Sequence, residues 1–220
     1  MLPALDDFRN GEMKLVLGSA SEARRGVLDQ LGIPFEIRPS SFPETLDKSL
    51  IDPSEYSLCT SREKHKELLP TIDSDVPVVL ITCDTVVVVD GTRILEKPEN
   101  ATQATEMLMS LSGIEHEVIT GVVVSLIMPK STVNSVEVKS ISKVKFKEIN
   151  FDEMQMYLST GEWKGKAGGY AIQGIGQLFV ADVQGSYTNV IGLPLFEVSE
   201  CIRKLLYAHG ERSYPFREIP

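Results

Sequence analysis

From Val76 to Val89 the chain reads VPVVLITCDTVVVV, a run of β-branched residues with an aspartate near its middle. Such runs suit a strand covered on both faces, because a strand with one wet face would alternate apolar and polar residues. A chain that holds such a strand must supply other elements to cover it, which points to an α/β arrangement. The run is also the longest apolar stretch in the chain. Asp84 cuts it, and it is too short to cross a bilayer, so no membrane partner is expected. The N-terminus, MLPALDDFRNGEM, is acidic where a secretory signal would be basic, and no signal peptide is expected either.

Other elements can be read around this strand. Lys14 to Gly18 (KLVLG) reads as a short buried strand, and Ser19 and Ser21 stand where a helix would begin. That helix, EARRGVLDQLG, ends at Gly32, and Phe35 to Arg38 follows as a second strand. Loop chemistry runs from Pro39 to about Pro53 and leads into a helix over Ser54 to Leu69. Ala101 to Leu111 is a helix capped by Asn100. Glu117 to Met128 and Val136 to Ile149 read as long strands joined as a hairpin across PKSTVN, the second with one face toward solvent. A short helix over Phe151 to Leu158, a strand over Gln177 to Val183 and a helix over Leu195 to Tyr207 complete the chain. The expected fold is α/β, a central mixed β-sheet with flanking helices. Its 220 residues form one domain, residues 1–220, in which two lobes share a sheet and residues 1–13 are an N-terminal extension.

Charge narrows the function classes. Lys and Arg number 22 against 31 Asp and Glu, a formal net charge of −9. A duplex-coating protein needs a basic face to displace counterions, so no nucleic-acid partner is expected. A small polyanionic substrate remains open, since a pocket needs only a few local cations. Three cysteines, Cys59, Cys83 and Cys201, share no metal-like spacing and point to a reducing, cytoplasmic setting rather than a disulfide framework.

Three places could hold chemistry. Asp84 is either the cap of a bend between two strands or a carboxylate held at a strand end, binding a divalent cation or activating water. Ser19, Ser21, Arg24 and Arg25 lie between a strand and a helix. There the serines simply cap the helix with the arginines in solvent, or the helix N-terminus binds phosphate. The glycines of GKAGGYAIQG, followed by GSYTNVIGLP, are either tight turns or a place where backbone amides approach a ligand. No G-x-x-x-x-G-K-[ST], no G-x-G-x-x-G after a strand and no G-x-S-x-G occurs. His65 and His116 occur singly and are expected on the surface or in loops.

Taken in order, LGSASEARRGVLDQLGIPFEIRPSSFPET, SREK, CDTVVVVDG, LEKP, LSGIEHEVITGV, KAGGYAIQGIGQLF and GSYTNVIGLP resemble the Maf family of nucleoside triphosphate pyrophosphatases, from Lys14 to about Leu206. The resemblance implies a two-lobed fold with an active-site cleft between the lobes, a homodimer, and hydrolysis of a nucleoside triphosphate to monophosphate and pyrophosphate. It implies a divalent cation, Mg²⁺ or Mn²⁺, held by Asp84 and Glu44. Asp84, in the D-T-V motif, is implied as the general base, and Glu44, Lys64 and Lys97 complete the catalytic set. Ser19, Ser21, Arg24 and Lys166 fall on phosphate-binding positions. Ala23, Thr85 and Gln173 fall on positions tied to base selection, and the I-Q-G form around Gln173 resembles the branch acting on dTTP, UTP and modified pyrimidine nucleotides.

At one position the chain departs from that branch, which has its first arginine two residues after the serine. Here that position is Ala23, with Arg24 and Arg25 following, a spacing like that of the branch acting on 7-methyl-GTP. The alternatives are therefore the same reaction on 7-methyl-GTP, or a non-catalytic nucleotide-binding regulator of cell division.

Overall fold

The structure, a computed structural model, describes residues 4–129 and 133–210. In chain order the elements are α1 (Leu5–Asn10), β1 (Lys14–Leu17), α2 (Glu22–Asp29), β2 (Glu36–Ile37), α3 (Pro53–Leu68), β3 (Val78–Val89) and β4 (Arg93–Leu95). They continue with α4 (Ala101–Leu111), β5 (Glu115–Ile127), β6 (Val133–Phe146), α5 (Phe151–Thr160), β7 (Val180–Gln184), α6 (Tyr187–Ile191) and α7 (Leu195–Ala208). The strands form one mixed sheet in the order β2-β1-β3-β5-β6-β7, with β4 on β3. β1 runs parallel to β2 and β3, and the other pairs are antiparallel.

The apolar run is β3, and both of its faces are covered as its composition demands. Val79, Ile81 and Cys83 pack with Phe8 of α1, Val27 and Leu28 of α2, and Val198 and Ile202 of α7. Farther along the same face, Val87 and Val89 join a second cluster with Leu108 of α4, Tyr157 of α5, Phe146 and Phe179. The opposite face lies under α3, where Leu68 meets Val78 and Leu80, and Tyr56 meets Val86 and Val88.

Asp84 is neither in a bend nor at a strand end. It sits inside one unbroken strand, paired with Gly121 of β5. What changes at Asp84 is the other edge of β3. β1 pairs only as far as Ile81, and β4 begins only at Val87. The strand is thus flanked on one side by a gap in the sheet, a place where α/β folds commonly receive ligands.

Helix starts follow local capping chemistry. Ser21 accepts the Arg24 N–H, Asp52 the Ser54 N–H and Asn100 the Gln103 N–H, while Asn150 and Glu153 form a reciprocal capping box. β5 and β6 pair along their whole lengths, from Glu115 opposite Lys145 to Ile127 opposite Val133. Residues 130–132 of their expected connection lie outside the described residues, as do residues 1–3 of the N-terminal extension. The rest of that extension includes α1, whose Phe8 is buried in the first cluster.

Two expectations need correction. The strand over Gln177 to Val183 is a 3₁₀ turn over Ile175–Phe179 followed by β7. The Gln177 N–H donates to the Gly174 carbonyl at 3.1 Å and the Val180 N–H to the Gln177 carbonyl, so the start of the expected strand is closed into the turn. His65 and His116 are not surface residues, being 6% and 2% exposed. His65, on α3, faces the sheet, with Nδ1 3.0 Å from Thr82 Oγ1 and Nε2 2.6 Å from Ser125 Oγ. His116 meets the Tyr170 hydroxyl at 2.9 Å and packs edge-on against Phe146. Side-chain hydroxyls from distant parts of the chain meet both imidazoles, which single-residue reading could not foresee, and among the described residues His116 Nδ1 has no partner.

Burial pushes both imidazoles down from about 6.5 to about 4. The unfolded chain therefore binds more protons than the native one below pH 6.5, and stability falls as pH drops from there toward 4. At pH 5 each histidine should cost roughly 2 kcal/mol relative to pH 7. Thermal unfolding followed from pH 7 to 4.5 checks this, and a flat profile across that window would contradict it.

Candidate active site

The segments singled out in the sequence converge on one cleft of about 430 Å³. Ser19, Ser21, Ala23 and Arg24 line it from the β1–α2 turn and the first turn of α2. Glu44 reaches it from the loop after β2, Lys64 from α3, Asp84 and Thr85 from β3, Lys97 from the segment after β4, and Lys166 and Gln173 from the glycine-rich connection after α5. Arg25 is not among the lining residues; it pairs with Asp29 along the exposed face of α2.

At one end of the cleft two carboxylates share an ammonium. Lys64 Nζ lies 2.9 Å from Asp84 Oδ1 and 2.5 Å from Glu44 Oε1, and Lys97 Nζ lies 3.1 Å from Glu44 Oε2. Lys64 and Asp84 are each 6% exposed, and a buried ion needs such a partner. Burial alone would raise the Glu44 pKa, but the hydrogen bond and charge of Lys64, with help from Lys97, overcome it and hold the carboxyl at about 2. Glu44 is one of two non-glycine residues with positive φ among the described residues, at +51°, a conformation that persists only when surroundings enforce it. Among the described residues no side chain donates to Asp84 Oδ2, so one oxygen of that carboxylate is left for the cleft.

α3 can bring Lys64 this close because β5 has no side chain beneath it at the critical register. A Cβ on Gly121, the residue paired with Asp84, would lie 2.3 Å from the backbone of Leu58 in α3.

The Arg24 guanidinium is committed to protein acceptors. Its Nε donates to the Gly192 carbonyl at 2.8 Å, Nη1 to Ser19 Oγ at 3.0 Å and Nη2 to Thr85 Oγ1 at 3.0 Å. Thr85 Oγ1 also meets Thr120 Oγ1 at 3.0 Å. Gly192 stands at φ +112°, a conformation that side chains rarely adopt, and a Cβ there would crowd Thr85 Oγ1 at 3.1 Å and Arg24 Nε at 3.3 Å. The fork thereby ties α2, β3 and the turn after α6 together. Ser21 both caps α2 and lines the cleft.

Sequence reading missed Glu162. Its carboxylate takes the amides of Ile175 and Gly176 and fills the space beside Gly174, fixing the turn that follows Gln173. The only sequence signal was an acid at the edge of a glycine-rich stretch.

The Maf-like protein family profile matches residues 14–205 of the chain. A dTTP/UTP pyrophosphatase of Syntrophus aciditrophicus is 44% identical over 192 residues, covering 87% of this chain and 90% of that protein. A dTTP/UTP pyrophosphatase of Rhodopseudomonas palustris is 38% identical, covering 94% of this chain and 96% of the relative. A human protein described as a probable bifunctional dTTP/UTP pyrophosphatase/methyltransferase is 39% identical over 88% of this chain, which spans 32% of that longer protein.

Proposed function

The chain belongs to the Maf-like protein family, and on that footing we propose that it is a nucleoside triphosphate pyrophosphatase that hydrolyses dTTP and UTP to the monophosphate and pyrophosphate. The observation that carries this reading is the convergence of Asp84, Lys64 and Glu44 at one end of a cleft whose other lining residues include Arg24, Lys97, Lys166 and Gln173. Full-length relatives named for the same two substrates support it.

Cleaving the bond between the α- and β-phosphates is chiefly a matter of holding a polyanion and placing a water. In the proposed reaction the free oxygen of Asp84 takes a proton from that water as its oxygen attacks the α-phosphorus, and pyrophosphate leaves. Lys64 holds Asp84 and Glu44 in register, and its charge keeps Glu44 ionised. Lys97 and Lys166 bind phosphate oxygens, joined by Ser19, Ser21 and the N-terminus of α2. Arg24 and Thr85 act together, the threonine anchoring the guanidinium beside the phosphates. The Gln173 amide offers a donor and an acceptor to the carbonyl and N–H edge of a pyrimidine, and the short Ala23 leaves room at that end of the cleft.

The donor set fits a hard divalent cation. Among the described residues no three His, Cys, Asp or Glu side chains cluster as metal donors, so protein alone would not enclose an ion. Two adjoining carboxylates plus substrate phosphates are, however, the usual surroundings of Mg²⁺ or Mn²⁺. Asp84 and Glu44 would hold the ion, which when bound neutralises phosphate charge and polarises the phosphoryl group. The reading extends, on family resemblance, to a homodimer working in the cytoplasm.

Product analysis tests the proposal, using UTP, dTTP, 7-methyl-GTP and the other common triphosphates with and without Mg²⁺ or Mn²⁺. Monophosphate and pyrophosphate from UTP and dTTP, lost on chelation, is the expected outcome. Faster turnover of 7-methyl-GTP would overturn the base assignment, and diphosphate with orthophosphate would move the attack to the γ-phosphate. Tight binding without turnover would leave a regulator in place of an enzyme.

A further inference from the structure

Glu67 lies on α3 three residues beyond Lys64 and is not among the residues lining the cleft. Its carboxylate faces the loop after β2 and gathers four donors from three consecutive residues of that loop. The Ser40 hydroxyl donates to Oε2 and the Ser41 hydroxyl to Oε1. The Ser41 N–H lies 3.0 Å from Oε2 and 3.2 Å from Oε1, and the Phe42 N–H lies 3.0 Å from Oε2. The side-chain hydrogen bonds from Ser40 and Ser41 hold this carboxyl below the usual carboxylate range. Two residues after Phe42 the loop delivers Glu44, in its positive-φ conformation, to Lys64 and Lys97.

Pro43 stands between, and proline fixes its own φ, so few free dihedrals separate the clamped amides from Glu44. Helix α3 thus grips the loop twice, through Glu67 at Ser40, Ser41 and Phe42 and through Lys64 at Glu44. The loop has no regular secondary structure of its own between β2 and Pro53. Without the first grip, the ion pairs from Lys64 and Lys97 would have to enforce the strained backbone at Glu44.

We propose that Glu67 is a positioning residue for the reaction: an acceptor-only clamp that sets the place of Glu44 by binding Ser40, Ser41 and Phe42. The inference rests on the reading that Glu44 serves the hydrolysis. All four groups that meet the carboxylate are donors, so glutamine at this position turns an NH₂ toward donors and should fail much as alanine does.

A double-mutant cycle tests this with the full chain and UTP. The kcat, KM and Tm are measured for the parent, Glu67→Ala, Glu67→Gln, Glu44→Gln and the Glu44→Gln variants of each. Glu67→Ala and Glu67→Gln are expected to lower kcat by about tenfold or more, with a smaller change in KM. On top of Glu44→Gln, either change should cost less than about twofold, because the group being positioned is already gone. Equal losses in both backgrounds, or a parental kcat in Glu67→Ala beside a slow Glu44→Gln, would overturn the clamp. A parental kcat in Glu44→Gln would instead remove Glu44 from the reaction and the proposal with it. If Glu67→Ala does not fold, the isosteric Glu67→Gln completes the same cycle.

Discussion

Asp84→Asn is expected to yield a folded protein that binds UTP yet turns it over about 10²–10⁴-fold more slowly, the range usually contributed by a positioned general base. Asparagine has the size of aspartate, and its amide oxygen can still accept from Lys64 Nζ, which now lies 2.9 Å from Oδ1. Lys64 also keeps Glu44 at 2.5 Å, so the buried ammonium does not lose its countercharge. The amide nitrogen, however, stands where the uncommitted carboxylate oxygen faced the cleft, and it cannot take a proton from water. Pyrophosphate release gives the rate, and calorimetric titration with a non-hydrolysable UTP analogue gives the affinity. A near-parental rate would take Asp84 out of the mechanism. Joint loss of binding and of Tm would make the residue structural.

The origin of this sensitivity lies partly in features that one-dimensional reading can reach. A continuous β-branched run suits a doubly covered strand, and a carboxylate inside it demands a reason. Ser21 and Asn100 cap their helices as their types and positions suggested. The eleven residues named from motifs all line the same cleft, although they come from six separate stretches of chain. The gap beside Asp84 was illegible, because it arises where two short neighbours, β1 and the three-residue β4, fail to meet. A three-residue strand has too little pattern to be seen. The burial of His65 and His116 was illegible for a different reason. Histidine is tolerated inside only when partners are found, and those partners, Thr82, Ser125 and Tyr170, are 17 to 60 residues away in the chain. Glu67 and Glu162 look like solvated acids in the sequence, and only the folded loops show that each binds a row of backbone amides.

The placement of Lys64 depends on a contact that involves no functional group at all. Gly121→Ala is expected to lower Tm by roughly 6–12 °C, on the order of 3 kcal/mol for a chain of this size. The added methyl would lie 2.3 Å from the Leu58 nitrogen and Cα and 2.6 Å from the Ser57 carbonyl carbon. These are backbone atoms of a helix and cannot rotate aside as a side chain would, so either α3 or β5 must move. Lys64 is six residues farther along the same helix, and Gly121 is the ladder partner of Asp84 itself, so either movement separates the ammonium from the carboxylate. Turnover should therefore fall along with stability even at temperatures where the variant is fully folded. Gly26→Ala in α2, where a Cβ meets nothing within 4 Å, is the matched control and should hold or raise Tm slightly. Parental Tm and kcat in Gly121→Ala would mean that α3 does not sit against β5 as closely as the fold requires, and the geometry of Lys64 would need another cause.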